Sequence, residues 1–369
     1  MEDTHKIGIV GVGHWSRRLV QGIKDDPFEV HKTVDVLPYD QKSDLLGAIG
    51  VPRDRHYEID ADDSLPDGFF EGVDVVQISS PVEYHLRQTR EALDRGKFVV
   101  TEKSYASDRG EFEDAVSTLE GRWDSSFLHL HYLNKVPTKV MPHVLERATD
   151  ESGGVEHVEA TFVEERSEED AARSWLFEPE NGGVMLDWVH PVEVLGAACG
   201  ARLSIEDASA YLSEPDYTDC ATAASADFGV EGDLFADGAT ATINVGKGFE
   251  DTHKRMRFVL SDDEHIDFVY ADSETEFESD YRGEWVWRRG GRVVESGKPT
   301  GPIPYEILID EIGDAVDGGG TWVNENVLRR IYEPVWEYNE AVDITNPVED
   351  RRAVEEFERD AVDATGAIA

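Results

Sequence analysis

The stretch Lys6-Ile7-Gly8-Ile9-Val10-Gly11-Val12-Gly13-His14-Trp15-Ser16 decides the fold. Lys6 to Val10 reads as a short apolar strand, and after the Gly-x-Gly an amphipathic helix continues through Leu19 to Ile23. Two glycines permit a tight turn and close backbone approach, while the helix N-terminus offers free N–H groups to a pyrophosphate. A Gly-x-Gly alone is an ordinary turn. Between a strand and a helix it predicts a dinucleotide site, with Gly11, Gly13, His14 and Trp15 at the cofactor. Ser16 stands where a third glycine is usual and is still small enough for close helix packing.

Outward from this turn, short apolar runs alternate with helical stretches, the pattern of a parallel sheet wrapped by helices. Strands are expected over Thr33 to Leu37, Val73 to Ile78, Phe98 to Thr101 and Phe127 to Tyr132, with a helix over His85 to Arg95 stopped by Gly96. The second strand should end in an acid that holds the adenosine ribose. Asp35, three before Pro38, is the better placed candidate and Asp40 the other. A carboxylate there repels a 2′-phosphate and no Arg follows closely, so NAD is expected, with NADP as the alternative. Ser80 and Pro81 close the third strand at the edge where ligands bind in such sheets, and His85 reads either as a cofactor contact or as a solvated helix residue. Glu102 and Lys103 end the next strand at the same edge, where an ammonium can stabilise oxyanion character.

After about residue 134 the pattern changes to long alternating strands: Val155 to Glu165, Ser209 to Ala210, Cys220 to Phe228, Ala239 to Val245, Met256 to Leu260 and Glu284 to Arg288. The expected fold is therefore α/β: an N-terminal Rossmann dinucleotide-binding domain over 1–133, then an α+β domain over 134–369 built on a large, mostly antiparallel open sheet. Helices are expected over Pro137 to Arg147, Val184 to Ala198, Tyr305 to Ala315 and Glu325 to Ala341, with a surface helix in the charged tail after Asn346. The run Asn181-Gly182-Gly183-Val184-Met185-Leu186-Asp187-Trp188-Val189-His190 joins a glycine turn to an apolar helix. Asp187 and His190, three apart, share one helical face. An imidazole near neutrality suits a general base; the carboxylate either orients it or binds a neighbouring hydroxyl.

In this order, Gly11-Val12-Gly13, Ser80-Pro81 with His85, Glu102-Lys103, and Gly182-Gly183 with Asp187 and His190 resemble the glucose-fructose oxidoreductase, inositol dehydrogenase and MocA family, over about residues 5 to 340. The resemblance implies a catalytic set of Lys103, Asp187 and His190, a nicotinamide cofactor on the Rossmann turn, and a second domain that forms homodimer or homotetramer contacts. The chain departs from the family at Ser104, where a proline is usual, at Ser16, and in the spacing of Asp187 to His190, which is four in many members. The stretch His131-Tyr132-Leu133-Asn134-Lys135 is similar to one in glucose-6-phosphate dehydrogenase, whose His and Lys contact the substrate phosphate, although Leu130 replaces the acid before that motif; Tyr132 and Lys135 are expected as substrate contacts, Lys135 on a phosphate or on a sugar hydroxyl. His129 and His131 alternate but lack a third ligand, so no metal site is expected. The expected activity is oxidation of a hydroxyl of a sugar, polyol or sugar derivative by hydride transfer to nicotinamide. The alternatives are an NAD-dependent glycoside hydrolase and a non-catalytic NAD-binding sensor.

Composition excludes other classes. The 369 residues carry 79 acidic and 35 basic side chains, a net charge of −44 at pH 7. A nucleic-acid backbone is held by neutralising its phosphates, so this surface repels it, and it repels anionic membranes likewise. No apolar run approaches the roughly 20 residues that span a bilayer, and the N-terminus has no signal-peptide pattern, so a cytoplasmic protein is expected. Two cysteines, Cys199 and Cys220, are too few for a disulfide scaffold. Only 11 of the basic residues are Lys, against 24 Arg, and carboxylates run the length of the chain. Molar salt, with a Debye length of about 3 Å, would remove most of the self-repulsion. A halophilic adaptation is expected; an acidic protein of an ordinary cell is the alternative.

Overall fold

A computed structural model describes residues 4–23, 28–165, 177–178, 183–213, 218–261, 263–272 and 279–363. The chain forms two compact units, one of Met1–Leu130 with Pro302–Glu325, the other of His131–Gly301 with Asn326–Ala369.

The first unit begins with β1 (His5–Val10), α1 (His14–Gly22), β2 (Phe28–Asp35), α2 (Tyr39–Ala48), β3 (His56–Glu58), α3 (Asp67–Phe70) and β4 (Val75–Ile78). It continues with α4 (His85–Asp94), β5 (Phe98–Glu102), α5 (Arg109–Leu119) and β6 (Ser126–His129). All six strands are parallel in the order β3-β2-β1-β4-β5-β6. The order reverses between β1 and β4, which opens a crevice at their carboxyl ends. Ile7, Ile9, Val34, Val75, Val76, Val99 and Val100 are fully buried, as near-continuous apolar strands covered on both faces require.

Two expectations shift here. The second strand stops at Asp35 and not at Leu37, because the Asp35 carboxylate accepts the Leu37 N–H at 2.9 Å and turns the chain. The last strand stops at His129, and His131–Asn134 form a short 3₁₀ turn in the second unit. Tyr132 therefore lies on a turn, its N–H donated to the Glu193 carboxylate in place of a ladder partner.

Residues 302–325, read from sequence with the second domain, pack in the first unit. They contain the helix over Pro304–Asp314. Gly22 at the end of α1 lets Tyr305 approach so closely that a Cβ there would meet the Tyr305 carbonyl oxygen at 2.6 Å. Trp322 lies edge-on to Phe127, and the Thr321 hydroxyl donates to the Trp123 carbonyl at 3.0 Å.

The second unit holds α6 (Val136–Ser152), β7 (Val155–Glu165), α7 (Met185–Glu193), β8 (Arg202–Tyr211), β9 (Ala223–Glu231), β10 (Phe235–Phe249), β11 (His253–Ser261), β12 (Glu264–Tyr270), β13 (Gly283–Arg289) and β14 (Arg292–Gly297). The helix over Pro304–Asp314 is α8; α9 (Glu325–Ala341) and α10 (Arg351–Asp363) complete the chain. The sheet runs β14-β13-β12-β11-β7-β10-β9-β8, antiparallel except for β7 beside β10. One face packs Val158, Ala160, Phe162, Ile243 and Phe258 into the core. The other carries Asp267, Arg255 and Arg257 in a buried ion-paired cluster. The tail helix is not a bare surface helix: Phe357 stacks on Tyr211 at 4.2 Å, and Ala361 is buried with it against Val163 and Phe249.

Candidate functional site

The glycine turn leaves β1 with Gly11 at φ +82°, a conformation that favours glycine. The Gly11 N–H donates to the Val34 carbonyl at 2.9 Å, and a Cβ on Gly11 would strike the Ser80 amide nitrogen at 2.6 Å. Gly13 differs, since a Cβ there would meet nothing within 4 Å. The space before the N-terminus of α1 is therefore open, which is what a bound pyrophosphate needs. Ser16 explains its own substitution for glycine: fully buried, its hydroxyl donates to the Gly11 carbonyl at 3.0 Å and accepts the Gly13 N–H at 3.3 Å. His14 and Trp15 open α1; their side chains lie outside the described residues.

Asp35 ends β2 beside this turn. Its Oδ2 accepts the Val12 N–H at 2.7 Å, and Lys42 stands 3.4 Å from the same oxygen while donating to the Val12 carbonyl. The acid thus fixes the turn from behind. Asp40 instead lies on α2 and pairs with Arg53 in solvent.

At the ends of β4 and β5, Ser79 donates its N–H to the Val10 carbonyl at 2.8 Å, and the Ser80 hydroxyl donates to Gln88 at 2.6 Å. Pro81 precedes a short helical turn that leads into α4. His85 is buried, with Nδ1 2.5 Å from the Ser104 carbonyl and Nε2 2.7 Å from the Ser80 carbonyl. Burial pushes its pKa down, against the upward pull of the two carbonyls. A neutral ring donates through one nitrogen only, so His85 holds one of the two carbonyls by a hydrogen bond while it packs between the loops that follow β4 and β5. Glu102 accepts from His129 Nδ1 at 2.7 Å, and Lys103 follows β5 directly, half-buried, with a cis peptide to Ser104.

In the second unit, α7 supplies Asp187 and His190; Asn181 and Gly182 of the preceding turn lie outside the described residues. Gly183 has φ +57°, as a glycine turn predicts. The two candidate side chains are directed to different partners. Asp187 lies 3.8 Å from Lys247 of β10. The His190 ring lies 4.6 Å from the Tyr132 ring, and its Nδ1 is 3.7 Å from Glu193. Lys247 also pairs with Glu164 of β7, and Glu164 pairs in turn with Lys254 of β11. The Lys254 ammonium, a donor only, hydrogen-bonds to the Tyr132 hydroxyl. Burial pushes the Glu164 carboxyl up, but the two ammonium groups outweigh it and hold it well below the usual carboxylate range. Burial likewise pulls Lys254 down, and Tyr132 with Glu164 more than restores it.

Lys135 is fully buried, its ammonium donating to the Ala271 carbonyl at 2.9 Å and lying 5.0 Å from the Tyr132 ring. It joins the start of α6 to the end of β12. Sequence reading missed Glu164, Glu193, Lys247 and Lys254. Glu193 carried a signal, three after His190; the others sit on strands separated by tens of residues and carried none. Among the described residues no group of three or more His, Cys, Asp or Glu is placed to hold a metal, and no helix is long and apolar enough to cross a membrane.

No protein-family model and no curated sequence matches the chain. Solved structures do match nearly its whole length. A 3-ketoreductase from Actinomadura kijaniata, in complex with TDP-benzene and NADP, is 17% identical with a TM-score of 0.71, covering 92% of this chain and 98% of its own. The UDP-N-acetylglucosamine 3-dehydrogenase from Acidithiobacillus ferrooxidans is 16% identical with a TM-score of 0.65, covering 91% and 97%. The likeness establishes the fold: a Rossmann-like parallel sheet followed by a mostly antiparallel eight-stranded sheet, as the sequence resemblance implied.

Proposed function

We propose that the chain is an NAD(P)-dependent oxidoreductase acting on a hydroxyl of a sugar, a polyol or a sugar derivative. The observation that carries this reading is the Gly11-Val12-Gly13 turn at the switch point of the parallel sheet, open above Gly13 and braced by Asp35. Those residues fit a dinucleotide, and nicotinamide, once bound, accepts or returns a hydride. The Asp35 carboxylate disfavours a 2′-phosphate, which supports NAD over NADP. Lys103 would hydrogen-bond to the reacting oxygen and stabilise its negative character, His190 would take the hydroxyl proton, and Asp187, held by Lys247, would accept from a neighbouring hydroxyl. Because the A. ferrooxidans neighbour is a nucleotide-sugar dehydrogenase and the A. kijaniata neighbour holds a TDP compound, nucleotide sugars join aldoses, inositols and sugar phosphates as substrates to try. The test follows NADH or NADPH formation across that panel in molar KCl. Failure of the protein to bind either cofactor would refute the proposal.

A further inference from the structure

Glu193 lies one helical turn after His190 on α7 and is completely buried. A carboxylate withdrawn from water is costly unless its surroundings compensate it. Oε1 accepts the Tyr132 N–H at 2.6 Å, and Oε2 lies 3.7 Å from His190 Nδ1. That second distance is longer than a hydrogen bond but inside the range over which a carboxylate governs the charge of an imidazole. The Tyr132 ring, carried on the turn that Glu193 grips, lies 4.6 Å from the His190 ring. One carboxylate therefore holds the Tyr132 turn by a hydrogen bond and faces the imidazole packed on the Tyr132 ring.

We propose that Glu193, and not Asp187, is the positioning residue of His190, holding Nδ1 on its own side and leaving Nε2 for the substrate proton. The inference rests on the oxidoreductase reading. In the oxidation, the hydroxyl O–H bond breaks and its proton passes to Nε2. The carbon's C–H bond breaks and its electron pair leaves with the hydride to nicotinamide, the oxidant. The imidazolium that results lies against the Glu193 carboxylate, which offsets its charge without taking the proton. Asp187 is free of this duty because its carboxylate is directed to Lys247.

The charged and titratable groups that contact Tyr132 and Asp187, the neighbours of His190 in space and on its helix, come from several elements: Lys247 on β10, itself paired with Glu164 of β7, Lys254 on β11, Lys135 at the start of α6, 5.0 Å from the Tyr132 ring, and Tyr270 on β12, whose ring lies 5.3 Å from that of Tyr132. Lys247 and Lys254 both pair with Glu164.

Glu193→Gln keeps the acceptor for the Tyr132 N–H and removes the charge. An opposite charge at this range shifts a titration by about 1–3 units. The His190 imidazole, followed by NMR in the whole protein, should therefore titrate at least one unit lower in Glu193→Gln than in the wild type, and a smaller change would overturn the proposal. If Glu193→Gln does not fold, the reciprocal measurement decides: the Glu193 carboxyl should titrate higher in His190→Gln than in the wild type, and no change would overturn it. Asp187→Asn should move the His190 titration by less than Glu193→Gln does; the opposite order would return the role to Asp187. These readouts need no substrate, so an inactive protein would refute the oxidoreductase reading while leaving the pairing measured. With activity in hand, Glu193→Gln should lower kcat on the order of 10-fold or more and move the acidic limb of the rate profile with the titration, KM holding within about threefold.

Discussion

Replacing Glu164 with glutamine removes one carboxylate from between two ammonium groups. In the native unit Glu164 pairs with both Lys247 and Lys254, whose side chains are 13% and 10% exposed, while Glu164 itself is 32% exposed. Breaking a buried pair by deleting one partner costs about 3–5 kcal/mol, because the surviving charge stays out of water. The third of Glu164 that reaches solvent screens part of this, so the low end applies, about 3 kcal/mol. For a cooperative unit of this size that is a fall in Tm of about 6–12 °C, or an equivalent fall in urea midpoint read from tryptophan fluorescence.

The pH dependence gives an independent check. Burial raises the Glu164 carboxyl and the two lysines lower it further, so its net shift is downward from 4.5. A group with a depressed folded pKa contributes stability that is fully present above its unfolded value and is lost as pH falls through the folded one. The gap between wild type and Glu164→Gln should hold steady near neutrality and close progressively below about pH 4.5. Pairing Glu164→Gln with Lys254→Met should cost less than the two changes summed, since the second removes a charge the first strands. A loss under about 1 kcal/mol at pH 7, or strictly additive costs, would show that the cluster is solvated and that the two-lysine pairing does not hold it.

Lys103→Met should lower turnover on the order of 100-fold or more with cofactor affinity unchanged, and activity within a few-fold of wild type would remove the lysine from the reaction. Asp35→Ser with Val36→Arg should move the ratio of kcat/KM toward NADP, and because Asp35 also holds the Val12 N–H, Asp35→Ser alone should weaken NAD binding. Asp40→Ser, which breaks only a solvent-exposed pair with Arg53, should do neither; the reverse pattern would displace Asp35 as the ribose acid. With 44 excess negative charges, thermal midpoints should be higher in molar KCl than in about 0.1 M, and equal midpoints would contradict a halophilic surface. His85 has a lowered pKa from burial, so it contributes stability above about pH 6.5 that is lost as pH falls; in urea titrations His85→Gln should flatten that part of the profile, and an unchanged profile would show the ring is not buried neutral.

The first unit was legible because its signals are local. Strand, glycine turn and helix fall within Lys6 to Ile23, and apolar runs such as Val75–Ile78 need only periodicity to be seen. The second sheet was legible where polar and apolar residues alternate, as over Val155–Glu165, whose Val158, Ala160 and Phe162 are buried. It was obscure where they are charged: Glu264–Tyr270 carries Asp267 inward to Arg255 and Arg257, and Arg292–Gly297 is an edge strand with Val293 and Val294 exposed. Neither reads as a strand, because a buried acid such as Asp267 is satisfied only across the sheet, by Arg255 and Arg257 of the neighbouring strand, and Val293 and Val294 lie exposed. The same holds at the site. Asp187 and His190 share a helical face, yet the sequence could not say that Asp187 turns to Lys247, 60 residues on, while His190 turns to Tyr132, 58 residues back.

Charge composition carries one further step. In a chain with only 11 lysines, the described ones are seldom on the surface. Lys32 donates to the Gly68 and Glu71 carbonyls, Lys97 to Val73, Lys135 to Ala271 and Lys42 to Val12, while Lys247 and Lys254 enclose Glu164. Exposed pairs are often made by arginine, as with Arg53, Arg351 and Arg359, and Lys298 makes one with Glu284. An ammonium is a compact point charge with three donors on a flexible stem, suited to converging carbonyls in a tight place, whereas the planar guanidinium is matched to carboxylates in the open. A chain poor in lysine thus places several of them where carbonyls or carboxylates converge. Lys103 directly after β5 is likewise half-buried, and its neighbour Glu102 is bonded to His129.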